Sequence, residues 1–197
     1  MNRRTLPAGI LLAGTLIALS GCVSFGGKAP KVLLTLTPVT TVIAGTTRAA
    51  TPAQTMVVLP IIAPASIATV RIPVYDGRSE LSYVKDAAWN EMPARLFQRM
   101  LSETIAAKTS RVVIDFRQAS LDPGTQLSGQ LQKFGVDPQT MRAIVVYDGI
   151  LRRSGNTVEA RRFEASVPIG AIEGREVGRV LNQAANDVAA QIADWVK

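Results

Sequence analysis

The sequence predicts an α+β domain, a mixed or antiparallel sheet packed against two main helices. Two amphipathic stretches, about residues 93–108 and 173–197, carry apolar residues at helical spacing. Several β-rich runs surround the first of them, one with period-two alternation and two joined by a turn signal. No internal repeat and no second composition regime divides the chain, so one domain is expected after a short N-terminal leader.

Composition removes several function classes. The chain has 197 residues, no histidine and one cysteine. Ser-His-Asp and Cys-His catalytic sites are therefore excluded, as are His-containing or four-cysteine zinc sites and haem held through histidine. A single cysteine makes no intramolecular disulfide. At 47% hydrophobic the composition is that of a globular chain. Base exceeds acid, with 22 Lys+Arg against 15 Asp+Glu.

The leader reads as an address. Arg3 and Arg4 precede an apolar stretch from Leu6 to Leu19. That stretch is short for a bilayer-spanning helix and has the length of a signal-peptide core. Leu19-Ser20-Gly21-Cys22 then resembles a bacterial lipobox, in which the cysteine is lipidated and becomes the mature N-terminus. Residues 1–21 are thus expected to be a lipoprotein signal peptide, 22–31 a lipidated tether and 32–197 the folded domain. Losing Arg3 and Arg4 lowers the net charge from +7 to +5. Several acyl chains anchor more firmly than one. Val23 follows the cysteine where inner-membrane lipoproteins often carry Asp, so the periplasmic face of the outer membrane is expected.

The elements follow in order. Lys31 to Thr37 alternates enough for a strand, stopped by Pro38. Residues 39–55, rich in Thr and Ala, read as a loop or weakly ordered connection. Met56 to Ile62 is a short β-branched run expected to be buried, with Pro60 and Pro64 marking an edge or an end. Asp76-Gly77 is a turn before a strand over Glu80–Lys85. Pro93 suits the first turn of a helix, with Asn90 as a plausible cap. Leu96, Phe97, Met100, Leu101 and Ile105 make one apolar stripe flanked by Arg95 and Arg99. Arg111 to Phe116 is a strand, and Asp122-Pro123-Gly124 is a turn. Gln126 to Phe134 alternates, with Leu127, Gly129, Leu131 and Lys133 on one side, as in a half-exposed antiparallel strand. Met141–Leu151 and Thr157–Val167 flank Ser154-Gly155-Asn156 and should pair as a hairpin. Val177, Val180, Leu181, Ala184, Val188, Ile192 and Trp195 form the stripe of the terminal helix. Glu173 and Glu176 suit the dipole at its start and Lys197 at its end. Trp89 and Trp195 are expected as core or helix-anchoring residues.

The hairpin carries four arginines, Arg152, Arg153, Arg161 and Arg162. With Gly155 and Asn156 as the turn pair, Arg152 would face Glu159 and Arg153 would face Val158. Arg152 and Arg161 would then share one face and Arg153 and Arg162 the other. That split, with the export signal, argues against nucleic acid. It leaves these arginines as candidate contacts for anionic lipid head groups or an acidic partner, or as a solvated tip. Asp115, Asp137 and Asp148 are isolated in sequence, and no pattern pairs them for acid–base catalysis. No phosphate loop or Gly-x-Ser-x-Gly is present. No cofactor, metal site or enzymatic activity is expected.

Several stretches together resemble the ABC-type transport auxiliary lipoprotein component family. They are Cys22, the strand Leu34-Thr35-Leu36-Thr37-Pro38, the buried Val57-Val58-Leu59-Pro60, and Trp89-Asn90-Glu91-Met92-Pro93 before an amphipathic helix. Gln126–Phe134 and the hairpin ending at Arg162-Phe163 are similar to the family's later strands. The family has Tyr where this chain has Leu34. The resemblance implies a non-enzymatic lipoprotein accessory to an ABC transporter, which has a permease, an ATPase and a binding protein with a mammalian-cell-entry (MCE) domain. Such systems are associated with movement of lipids or other hydrophobic molecules across the envelope. The other reading is a structural lipoprotein of a secretion or outer-membrane assembly machine.

Overall fold

A computed structural model describes residues 29–77, 79–118, 124–153 and 157–197. The leader, Cys22 and most of the tether lie outside these residues.

Three long antiparallel strands form the body of the sheet. They are β7 (Thr125–Asp137), β8 (Arg142–Arg152) and β9 (Val158–Pro168), and β9 is an edge because it pairs with β8 alone. The other side of β7 is shared by two short strands in parallel with it. β2 (Thr55–Val58) pairs with its beginning and β3 (Pro73–Asp76) with its end. β6 (Val112–Ile114) extends the sheet beyond β2, and β4 (Glu80–Tyr83) extends it beyond β3. Gly77 supplies the positive φ, 77°, that the β3–β4 turn requires. A separate parallel pair joins β1 (Val32–Leu34) to β5 (Ala87–Trp89). The class is α+β, as expected.

Two helices cover one face of the sheet. α1 (Pro93–Lys108) and α2 (Gly174–Trp195) bury the stripes their spacing predicts. Phe97 of α1 meets Tyr147 of β8 at 5.6 Å between ring centroids, and Trp195 of α2 meets Phe163 of β9 at 5.3 Å. Trp89 is buried edge-on against Phe134 at 5.4 Å. α2 also rests on the small β1–β5 pair. A Cβ on Gly174 would come within 2.6 Å of the Ala87 methyl, and one on Gly178 within 2.5 Å of a Leu34 methyl. Close approach explains why a helix with good formers elsewhere keeps two glycines.

Four details differ from expectation. The residue at the N-cap of α1 is Met92, which offers no side-chain cap; the Asn90 N–H instead donates to the Leu34 carbonyl at 2.8 Å and closes the β1–β5 pair. Pro93 at the first helical position has no N–H to satisfy, which lessens the need for a cap. The first strand ends at Leu34, three residues early. The Thr37 N–H is taken by the Asn182 side chain at 2.8 Å, so the chain leaves the strand to cross α2. β2 is an inner strand between β7 and β6, and its prolines mark its end only. The alternation of β7 changes phase at a bulge between Leu131 and Lys133. Leu127, Leu131 and then Phe134 are therefore all buried, although strict alternation puts Phe134 on the opposite side.

The connection over residues 35–50 lacks regular structure but is pinned across both helices. Asn186 accepts from the Val39 N–H at 2.8 Å and donates to the Thr37 carbonyl at 3.0 Å. Farther along, the Val42 N–H donates to Glu103 at 2.7 Å, and Arg48 bonds the Ala106 carbonyl. The segment that follows β1 is thus a strap over the helical layer.

Candidate functional site

The hairpin arginines sit at the tip and outer side of β8–β9. Arg152 pairs with Val158, Gly149 with Arg161 and Asp148 with Arg162. The Arg153 N–H closes the connection on the Thr157 carbonyl at 3.0 Å, with three residues between them. One loop residue more than the expected two-residue turn moves every pair by one position and exchanges the faces. Arg152 and Arg162 therefore share the open face of the sheet, and Arg153 and Arg161 lie on the helix side. The expected pairing of Arg152 with Glu159 is corrected accordingly.

The four have different tasks. Arg162 forks onto Asp148, with Nε–Oδ1 at 2.6 Å and Nη2–Oδ2 at 2.7 Å. The bulged Gln132 adds a bond to Asp148 Oδ2 at 2.9 Å. These donors, Arg162 first, hold the Asp148 carboxyl below its ordinary range. Arg153 is structural: its Nε bonds Glu159 at 3.0 Å and its Nη2 reaches the Trp195 carbonyl at 3.5 Å. Arg111 likewise bonds the Val196 carbonyl, so two guanidiniums answer the negative end of α2. Burial lowers the Arg111 pKa, and the nearby Arg153 charge adds to the effect. Arg161 lies over the Phe163 ring at 5.1 Å. Arg152 is exposed and has no ion-pair partner among the described residues. The hairpin is thus no uniform cationic patch, and Arg152 and Arg162 are the two that a partner on the open face could reach.

That open face is mixed in chemistry. Gln132, Lys133, Ile144, Val146, Arg162 and Glu164 line a shallow depression of about 350 Å³. Toward the tip, Ile150 and Val158 expose 44% and 51% of their surface. Beneath, on the core side, the buried Tyr147 phenol donates to the Ser128 carbonyl at 3.1 Å, and burial pushes its pKa up.

The three isolated aspartates are engaged separately. Asp115 accepts from the Arg117 N–H at 2.8 Å, Asp137 from the Gln139 N–H at 2.8 Å, and Asp148 is held as described. Among the described residues no three metal-ligating side chains gather, and no helix is long and apolar enough to cross a membrane. Two features escaped sequence reading. The asparagine pair Asn182 and Asn186 at helical spacing was a usable signal, since buried mid-helix amides need partners. The role of Arg153 was not readable, because it depends on the loop length.

Residues 35–193 match the family model of the ABC-type transport auxiliary lipoprotein component. The chain belongs to this family. It is accordingly an auxiliary lipoprotein associated with an ABC-type transport system, in a family of auxiliary rather than enzymatic components, and its place is the cell envelope. The fold is also that of protein XCC0632 from Xanthomonas campestris, with 18% identity and a TM-score of 0.70 over 84% of this chain and 94% of that one. A crystallised uncharacterized protein matches at 13% identity and a TM-score of 0.65, covering 74% of this chain and 93% of its own. The hypothetical protein CT253 from Chlamydia trachomatis matches at 9% identity and a TM-score of 0.50, covering 73% and 98%. These likenesses show the fold alone. No curated protein matches.

Proposed function

We propose that this chain is a non-enzymatic, lipid-anchored periplasmic subunit of an MCE-type ABC transport system that moves lipids or other hydrophobic molecules across the envelope. The observation that carries the reading is the family match over residues 35–193. In this reading residues 1–21 are removed and Cys22 takes the lipid. Residues 22–31 tether the domain, residues 32–197, to the periplasmic face of the outer membrane. Ten tether residues reach at most about 35 Å when extended. The domain then works within a short distance of the membrane and contacts partners there. Arg152 and Arg162, which face outward, are assigned to that contact. Permease, ATPase and MCE-domain binding protein supply transport and energy, and this subunit supplies position.

The test is affinity purification of the tagged, lipidated protein from detergent-solubilised envelopes after crosslinking. Recovery of the MCE-domain binding protein is expected. The paired reversal Arg152→Glu with Arg162→Glu should lower that recovery several-fold while the protein stays folded. Recovery of an outer-membrane secretion channel in its place would overturn the reading. Cys22→Ser should abolish fatty-acid labelling, and unchanged labelling would refute the anchor.

A further inference from the structure

The strap over the helices carries the two most exposed large apolar side chains among the described residues. Val39 exposes 81% of its surface and Ile43 80%. The backbone beside each of them is fixed. Asn186 of α2 takes the Val39 N–H at 2.8 Å, and Glu103 of α1 takes the Val42 N–H at 2.7 Å. Ile43 then begins a tight turn. The Thr46 N–H donates to the Ile43 carbonyl at 3.2 Å, and Gly45 takes a φ of 81°, as the third position of a type II turn requires. A Cβ on Gly45 would meet nothing within 4 Å, so the turn stands clear of the domain behind it.

The surroundings of these two side chains suit a bilayer interface. Thr40, Thr41, Thr46 and Thr47 are exposed about them, and hydroxyls exchange hydrogen bonds with water and lipid head groups alike. The strap has no acid of its own: the first Asp or Glu in the chain is Asp76. Glu103 beneath it is turned to the Val42 N–H, and Lys31 before it is paired with Asp86 at 2.9 Å. A protein partner is met by a continuous apolar patch with a polar rim. Here two aliphatic tips stand apart, with threonines between and around them.

Position selects the occupant. Ten residues separate the anchor proposed at Cys22 from Val32 of β1, about 35 Å at full extension, and the strap is the next segment of the chain. The strap crosses the outer side of the helices, which cover one face of the sheet. The other face of the sheet is the open one, which holds Arg152 and Arg162.

We infer that Val39 and Ile43 seat the strap on the lipid surface that carries the anchor. Their side chains enter the boundary between head groups and acyl chains. Irregular backbone does not enter the hydrocarbon, so the strap itself stays among the head groups and the insertion is shallow. This seat turns the open face of the sheet away from the bilayer and toward partners. The inference deepens the proposed function and rests on its lipid anchor at Cys22.

The test uses the whole lipidated protein in vesicles of phosphatidylethanolamine and phosphatidylglycerol. Lipidation blocks Cys22, so Val39→Cys, Ile43→Cys and Val158→Cys each offer one free thiol for a nitrobenzoxadiazole probe, and Val158 lies on the open face. Lipid spin-labelled near the head of the acyl chain should quench the probes at 39 and 43 about twofold and leave the one at 158 nearly unchanged. With the probe at Thr40→Cys, adding Val39→Asp and Ile43→Asp should abolish the quenching, whereas Val39→Leu with Ile43→Leu should keep it. Flotation of the vesicles reads the anchor separately. Protein that does not float with them refutes the anchor and this inference with it. Protein that floats without quenching at 39 and 43 overturns the inference alone. Equal quenching at 158 also overturns it, as does quenching that survives the paired change to Asp. Blue-shifted emission without quenching would mean that another protein copy covers the strap, and would overturn it too.

Discussion

Asn186→Ala isolates the strap, residues 35–50, that crosses the helical layer. The Asn186 side chain makes three hydrogen bonds, two of them to the strap, at Thr37 and Val39, and one to the Asn182 carbonyl at 2.8 Å. Each bond to the strap contributes about 0.5–1.5 kcal/mol net. Thr37 and Val39 are exposed, so water replaces the lost partners and no large desolvation penalty is added. Alanine in a helix interior recovers about 0.5 kcal/mol over asparagine. The net loss is therefore about 0.5–2.5 kcal/mol, which in a domain of this size lowers the melting temperature by about 1–10 °C. The assay is urea unfolding combined with amide hydrogen exchange. Val39 should lose protection about tenfold, whereas amides in β8 should change only through the global term. Asn182→Ala removes the Thr37 N–H contact, and the double variant should be less than additive, since both residues hold one segment. Unchanged exchange at Val39 would refute the assignment of the strap to this amide. A global loss well above 3 kcal/mol would show that the residue fills space rather than bonding.

Two further predictions concern the sheet and its charges. Gly129→Ala should destabilise by about 1–3 kcal/mol or more, because the new methyl would collide with the Asp148 carbonyl and the Tyr147 ring, whereas Gly170→Ala, with nothing within 4 Å, should be near neutral by thermal melting. Asp148, Glu176 and Asp194 have carboxyl pKa values lowered by hydrogen bonds from Arg162, Arg179 and Lys197 respectively. Their folded values lie below the unfolded ones, so their stabilisation is complete above the ordinary carboxylate values and is lost as pH falls through the folded ones. With no histidine in the chain, the melting temperature should be flat from about pH 5.5 to 7.5 and fall only in acid; a slope within that window would contradict this.

Helices were the most legible part of the fold, for a physical reason. Each buries a continuous stripe, so Val177 to Ile192 or Leu96 to Ile105 declare a face without reference to anything distant. Strand positions were legible too, but their phase was not. The bulge at Gln132 lets Phe134 join Leu131 in the core, and alternation alone has no way to announce an inserted residue. The hairpin register failed similarly: one residue of loop length exchanged Arg161 and Arg162 as companions of Arg152 and Arg153, and the tie of Arg153 to the end of α2 was not legible either. The strap was read as a loose connection because its partners, Asn182, Asn186 and Glu103, lie far along the chain. The lipobox proposed at Cys22 is the opposite case, since such a signal is read from linear sequence and needs no fold.

In the proposed function the chain serves a transporter as an auxiliary component. The most direct measurement is epistasis between this chain and the transporter's ATPase, read as the sensitivity of cells lacking either gene or both to detergent and other envelope stress, which does not depend on which hydrophobic molecule is carried. Deleting either gene should raise that sensitivity to the same extent, and deleting both should raise it no further. Unchanged sensitivity without this chain, or a double deletion clearly more sensitive than either single one, would contradict that role.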